Sequence, residues 1–188
     1  MEDYEVYNKV DPLHRWVMYK PLLSEALHYR SGPAGMPVPE PGKYIVRPAV
    51  NLYGMGAGAR IMHLETGFEV PPGYFWQEVF EGRHVSVDYN YGDAVYAVEG
   101  IKEGLRFRKW VPYEDGLFIL PDWLSHIIKQ YECTNVEFIG GNIIEVHFRG
   151  NPDPKAPVEV IWEDEFIPAF EDCDTWINTP RVGFKKIK

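Results

Sequence analysis

Residues 135–153 read NVEFIGGNIIEVHFRGNPD. Apolar and polar residues alternate on either side of Gly140-Gly141-Asn142, the pattern of two strands joined by a tight turn. With residues 140–142 as a three-residue loop, Ile139 pairs with Ile143 and Glu137 lies directly opposite Glu145. Side chains two apart on a strand share a face, so Glu145, His147 and Arg149 point the same way. Two carboxylates facing each other repel unless something cationic joins them, and in an unbridged pair at least one should show a raised pKa. A solvated surface hairpin would show the same alternation, so the neighbouring segments must decide between the two.

Working toward the N-terminus, residues 121–131 (PDWLSHIIKQY) break the strand pattern. Pro121 and Asp122 stand at a helix start, and Trp123, Leu124, Ile127 and Ile128 recur at helical spacing, which predicts a helix with those four as its buried stripe. Before it run short Val/Tyr/Phe-rich segments punctuated by glycine: KYIVRPAV, ARIMHL, GYFWQEVF, HVSVDYNY, DAVYAVEG and LRFRKWVP. These predict antiparallel strands, with hairpin turns at Glu81-Gly82-Arg83 and Lys102-Glu103-Gly104, in a sheet covering most of residues 43–148. Residues 12–30 read as mostly helical with a kink or restart at Pro21, and residues 31–42 as a Pro/Gly-rich loop. After Gly150 comes a three-proline loop, a last strand candidate VEVIW, an acidic run (Glu163, Asp164, Glu165) and a basic end. The run reads as a solvated face and the tail as an irregular arm, with Trp162 and Trp176 available to pack it onto the core or a partner.

The composition agrees with one α+β domain. The chain has 188 residues, 45% of them apolar and 15% aromatic, enough for a β-rich core. A formal net charge of −9 excludes an open nucleic-acid surface, which rests on clustered Lys and Arg. Cys133 and Cys173 lack the spacing of a zinc site and the density of a disulfide scaffold, and Cys173 in its acidic surroundings is no nucleophile. No stretch approaches the roughly 20 apolar residues of a membrane span. A cytoplasmic protein with reduced thiols is expected, without nucleic-acid or membrane partners. The remaining histidines (His14, His28, His63, His126) have no spaced partners.

Three segments in order carry a resemblance to the ATP-grasp superfamily. In YIVRPAVNLYGMGAGARI, a strand ends in Arg47-Pro48 and Gly54, Gly56 and Gly58 form a glycine-rich loop. In the family a Lys-Pro pair stands here, and the loop closes over phosphates, because glycine lets backbone N–H groups approach oxygen closely. YFWQEVFEGRHVSVDY resembles the hinge strand, in which backbone groups meet the adenine edge. By this alignment Glu78 begins the hinge, Phe80 lies within it, Glu81-Gly82 end it, and His84 takes the position of a ribose-binding Glu. The third segment is the 135–153 hairpin, where the family holds Mg²⁺ between an acid on each strand. The resemblance covers about residues 43–151, with residues 1–42 as a helical segment and loop and 152–188 as the arm. It implies ATP and Mg²⁺ as cofactors. Arg47, the glycines, Glu78, Phe80, Glu81 and His84 would bind the nucleotide, Glu137, Glu145, His147 and Asn151 the metal, and Arg149 would act on the transferring phosphate.

The sequence departs from the family at several of these positions. Arg47 stands for Lys, His84 for Glu and His147 for Asn, and the Glu137–Glu145 spacer is short. Asn151, close behind, offers a replacement amide oxygen. The chain is too short for the family's separate N-terminal substrate domain. Lys20 could replace a second family lysine, although a lone helical lysine is more often solvated. The leading expectation is an ATP-dependent carboxylate–amine or thiol ligase acting through an acylphosphate, with an unidentified small-molecule or peptide carboxylate as partner. A non-catalytic ATP-grasp-like binding or interaction module is the alternative. A structural β-rich protein, self-associating as a homo-oligomer, is the third reading.

Overall fold

Alternation and turn chemistry put most of the chain into antiparallel strands, and a break at residues 79–83 divides them into two sheets. The computed structural model describes residues 3–51, 58–116, 118–152, 155–162, 173–178 and 181–187. Helix α1 (Asp3–Tyr7), a 3₁₀ turn (Arg15–Met18) and α2 (Lys20–Ala26) come first. Pro21 restarts the helix from its first turn, where its missing N–H costs nothing. The small sheet then takes β1 (Ser31–Pro33), β2 (Gly42–Pro48), β3 (Arg60–Leu64) and β4 (Tyr74–Glu78) in the order β1-β4-β2-β3. The large sheet is built from β5 (His84–Asn90), β6 (Asp93–Glu103), β7 (Arg106–Pro112), β8 (Thr134–Ile139), β9 (Asn142–His147), β10 (Val158–Trp162), β11 (Cys173–Asn178) and β12 (Arg181–Lys186). Its order is β11-β12-β10-β7-β6-β5-β8-β9. The expected single sheet over residues 43–148 is therefore two sheets, and the expected loop at 31–42 contains a short strand. The segment after residue 152 is not an irregular arm: it supplies three strands of the large sheet.

Each sheet spends one face on a core. In the small sheet Tyr44, Val46, Leu64 and Trp76 pack with Val38 and Val70. In the large sheet Val85, Val87, Val136, Phe138, Ile143 and Val146 pack against Val17 and Leu23 and against α3 (Asp122–Ile128). Leu124, Ile127 and Ile128 of α3 are buried as the helical spacing predicts, each burial being worth roughly 1.5–3 kcal/mol. Trp123 lies half-buried at the edge, its ring 5.3 Å from that of Trp16. A second apolar cluster (Val98, Phe107, Trp110, Val158, Val160, Trp162 and Phe184) fixes the C-terminal strands. Within it the Trp162 indole N–H donates to the Phe107 carbonyl at 2.9 Å.

The β8–β9 hairpin turns on two residues, not three. Gly140 and Gly141 have φ of 57° and 85°, values that suit a tight hairpin turn and exclude most side chains. Ile139 pairs with Asn142 and Phe138 with Ile143, and the register then shifts so that Glu137 faces Glu145. Ile144 is the extra residue. A bulge thus restores the carboxylate pairing that the shorter turn would have lost. The hairpin tip is locked to the turn before β5: the Gly140 N–H donates to the Arg83 carbonyl at 3.0 Å. A Cβ on Gly140 would lie 2.1 Å from the Glu81 carbonyl oxygen.

Candidate functional site

The polar faces of the two sheets meet where Arg47 of β2 reaches β9. Period-2 alternation places Arg47 beside Gln77 on the face of the small sheet opposite its core. There the Arg47 guanidinium donates to Gln77 Oε1 at 2.8 Å and to the Ile144 carbonyl at 3.1 Å. The bulge at Ile144 frees that carbonyl from the ladder. Arg47 also stands 3.5 Å from Glu145 Oε1. Burial pulls its pKa down, and the Glu145 and Glu137 carboxylates oppose that shift. Arg47 Nε and Gln77 Nε2 are buried donors with no partner among the described residues. A bound oxygen-rich group would satisfy them.

Glu137 and Glu145 share this face, as expected. With His147 they offer ligand atoms all within 4.8 Å of one another. Their side chains keep 25% and 17% of their surface, so a ligand can reach them. The expected raised carboxylate pKa is not found. Burial raises Glu145, but the Lys20 ammonium at 3.0 Å and a hydrogen bond from His147 bring it down to about 2. Glu137 is likewise held well below its usual range, against burial, by hydrogen bonds from His147 and His84. Cations supplied by the chain relieve the repulsion that was expected to show in the titration. Lys20 is one of them: it is buried against Glu145, not solvated on its helix.

The two histidines have opposite characters. Lys102 Nζ lies 2.7 Å from His84 Nδ1, and His84 Nε2 lies 3.0 Å from Glu137 Oε2. An ammonium only donates, so His84 Nδ1 accepts and the Nε2–H donates to Glu137. His84 is thus a neutral link between Lys102 and Glu137, its pKa lowered first by burial and further by Lys102, against the pull of Glu137. His147 Nδ1 bonds the Asp3 carboxylate at 2.9 Å, and its Nε2 lies 3.5 Å from Glu145 and 3.8 Å from Glu137. Burial works against its charge, yet hydrogen bonds to Asp3, Glu137 and Glu145 raise its pKa well above the usual value.

The other expected residues fall around this centre. Arg149 is buried and its Nε donates to Asp3 Oδ1 at 2.8 Å. Asn151 lies at the edge, its amide nitrogen 3.2 Å from Ser86 Oγ and its backbone N–H on Asp88. Glu78 engages Arg30 twice, its N–H donating to the Arg30 carbonyl and its carboxylate accepting from the Arg30 N–H. Phe80 packs edge-to-face on Tyr29 at 4.6 Å. Glu81 abuts Gly140. Gly58 has a positive φ of 79° and lies against Pro48, while Gly54 and Gly56 fall outside the described residues, as do Glu163, Asp164 and Glu165. Two site residues carried no usable sequence signal: Asp3 lies in a region without a motif, and Lys102 in what reads as a hairpin turn; Lys20 reads only as a possible replacement for a family lysine. The even spacing of Lys102 from Gly100, which pairs with His84, was the available clue, and a register shift between Ile101 and Lys102 obscures it.

Antiparallel sheets with few helices define an α+β fold that brings paired carboxylates beside a buried strand-end cation. Comparison with solved structures shows that the fold is ATP-grasp-like. An Archaeoglobus fulgidus structure assigned to the ATP-grasp superfamily matches with a TM-score of 0.56 and 13% identity, over 100% of this chain and 74% of that one. The ATP-grasp ligase PsnB with a minimal precursor gives a TM-score of 0.46 and 14% identity over 75% of this chain and 54% of that one. D-alanine–D-alanine ligase from Bacillus anthracis complexed with ATP gives 0.42 and 12% over 78% and 63%. The chain thus spans about three quarters of the first and about half of PsnB. No family model and no curated protein matches the sequence.

Proposed function

We propose that the protein binds a nucleoside triphosphate with Mg²⁺ between its two sheets and acts as an ATP-dependent carboxylate–amine or thiol ligase. The observation that carries this reading is the convergence of Glu137 and Glu145 with Arg47 and Lys20 at the junction of the sheets. Two accessible carboxylates facing each other fit a hard divalent cation, and the unpartnered donors Arg47 Nε and Gln77 Nε2 fit phosphate oxygens. Glu137 and Glu145 would hold Mg²⁺, which would supply charge neutralisation for the phosphates. The acceptor carboxylate would take the γ-phosphoryl group with release of ADP, and an amine or thiol would then attack the acyl carbon and expel phosphate. The chain's own contribution is positioning and electrostatic. Arg47 would hold phosphate oxygens from the small sheet, and the glycines Gly54, Gly56 and Gly58 would offer backbone N–H groups to them. Residues 78–81 would meet the adenine edge, and His84, neutral and backed by Lys102, would orient Glu137 through its Nε2–H beside the nucleotide. Arg149 would steady the transferring group. Asn151 would complete the metal's oxygen ligands. His147 offers only nitrogen, which Mg²⁺ disfavours, and gives that up while protonated.

One observation favours a second reading, a non-catalytic binding module. His147, bonded to Asp3, sits against both carboxylates and supplies in part the charge that a metal would supply. Calorimetric titration with a non-hydrolysable ATP analogue, with and without Mg²⁺, tests nucleotide binding. Binding that requires Mg²⁺, followed by phosphate release from ATP, supports the ligase. Binding without turnover supports the module, and no binding in either condition removes both.

A further inference from the structure

Asp3 is the anion of this site that neither sheet provides. Its carboxylate is received by three donors from two separate parts of the chain. Asn51 Nδ2, just beyond β2, donates to Oδ2 at 3.0 Å. Arg149 Nε, just beyond β9, donates to Oδ1 at 2.8 Å. His147 Nδ1 lies 2.9 Å from Oδ2 and 3.1 Å from Oδ1. Side-chain exposure is 5% for His147, 8% for Arg149 and 19% for Asp3. Charge-assisted donors on both oxygens are how a protein holds a bound oxyanion. The same imidazole that holds Asp3 through Nδ1 turns its Nε2 toward Glu137 and Glu145. The occupant arrives on α1, a five-residue helix, and the donors it meets are 48, 144 and 146 residues away in sequence. A single-turn helix near a chain end is the kind of element that opens locally at small cost.

We propose that Asn51, His147 and Arg149 form an oxyanion-binding subsite that Asp3 fills from within the chain, making α1 an inbuilt competitor of the subsite's ligand. The ligand is a carboxylate or phosphoryl group. It binds when α1 lifts, and because Asn51 and Arg149 come from the two sheets, it then ties the sheets together as Asp3 does. The identity of that ligand, though not the subsite, rests on the nucleotide-site reading. An internal competitor weakens the apparent affinity by the fraction of molecules in which the subsite is open.

The test is titration of the full chain with inorganic phosphate and, separately, with acetate, for wild type, Asp3→Ala and Asp3→Asn. Amide exchange at Val6 and Tyr7 is followed in the wild type. Removing the competitor is expected to tighten binding of one of the two anions about tenfold or more, and adding Arg149→Ala to Asp3→Ala is expected to abolish that gain. In the wild type the same anion should accelerate exchange in α1. A gain for phosphate assigns the subsite to the phosphoryl group, and a gain for acetate to the acceptor carboxylate. Unchanged affinity for both anions in both variants, with no change in α1 exchange, overturns the proposal, as does a gain that survives Arg149→Ala. If Asp3→Ala fails to fold, Asp3→Asn and the wild-type exchange decide. An ATP-analogue titration runs in parallel. Analogue binding with no gain for either anion on removing Asp3 sinks the competitor and leaves the nucleotide reading standing. Anion tightening without analogue binding does the reverse.

Discussion

Replacing Glu145 with glutamine removes the carboxylate on which Lys20, Arg47 and His147 converge at 3.0, 3.5 and 3.5 Å. The side chain keeps its size, so the change reads charge and not packing. In the folded protein this carboxyl titrates at about 2, against 4.5 for the free group. At about 1.4 kcal/mol for each pH unit, the separation corresponds to about 3 kcal/mol of stability at pH 7. That agrees with the roughly 3–5 kcal/mol expected for breaking a buried ion pair. The sign follows from the depressed pKa. The contribution is complete above pH 4.5 and is lost as pH falls through 2, so the gap between wild type and variant should shrink from about 3 kcal/mol at pH 7 to about 1 kcal/mol at pH 3. Urea unfolding of both proteins at each pH measures it. Equal stability at pH 7, or a gap of the same size at pH 3, would show that the carboxylate is not held by these cations and would refute the electrostatic account of the site.

Lys102→Met should raise the His84 pKa, because the ammonium 2.7 Å from Nδ1 disfavours the charged imidazole. An NMR titration of the ring protons reads it, and an unmoved pKa removes Lys102 from the relay. Gly140→Ala should cost about 2 kcal/mol or more, since its φ of 57° is strained for alanine and the new Cβ would meet the Glu81 carbonyl. A thermal midpoint equal to that of wild type would mean that the two turns are not locked together.

The strands of residues 43–148, the 121–131 helix and the paired glutamates were legible because each rests on local periodicity or turn chemistry. Leu124, Ile127 and Ile128 bury as their spacing says, and Glu137 faces Glu145 in the structure. The route to that pairing was not legible. A two-residue glycine turn and a bulge at Ile144 give the same result as the expected three-residue loop, and a bulge leaves no local mark in sequence. What sequence hid most fully was long-range. Asp3 reaches His147 across 144 positions, and Lys20 reaches Glu145 from a helix on which it reads as a solvated lysine. The carboxylate titration was misjudged for the same reason, since the cations that lower it come from distant segments. VEVIW was legible as β10, but β11 and β12 escaped notice because proline and acidic runs interrupt their alternation, and their partners lie in β10 and in each other.

Glu137 and Glu145 as joint ligands of a nucleotide-bound divalent ion are the core of the account. Electron paramagnetic resonance of Mn²⁺ standing in for Mg²⁺ addresses them directly, with the free-ion signal followed as protein is added with and without a non-hydrolysable ATP analogue. The wild-type protein should remove Mn²⁺–analogue from the free pool, and the Glu137→Gln/Glu145→Gln double variant, if still folded by circular dichroism, should not. Equal loss of signal with both proteins, or no loss with the wild type, would contradict a metal–nucleotide site at this hairpin.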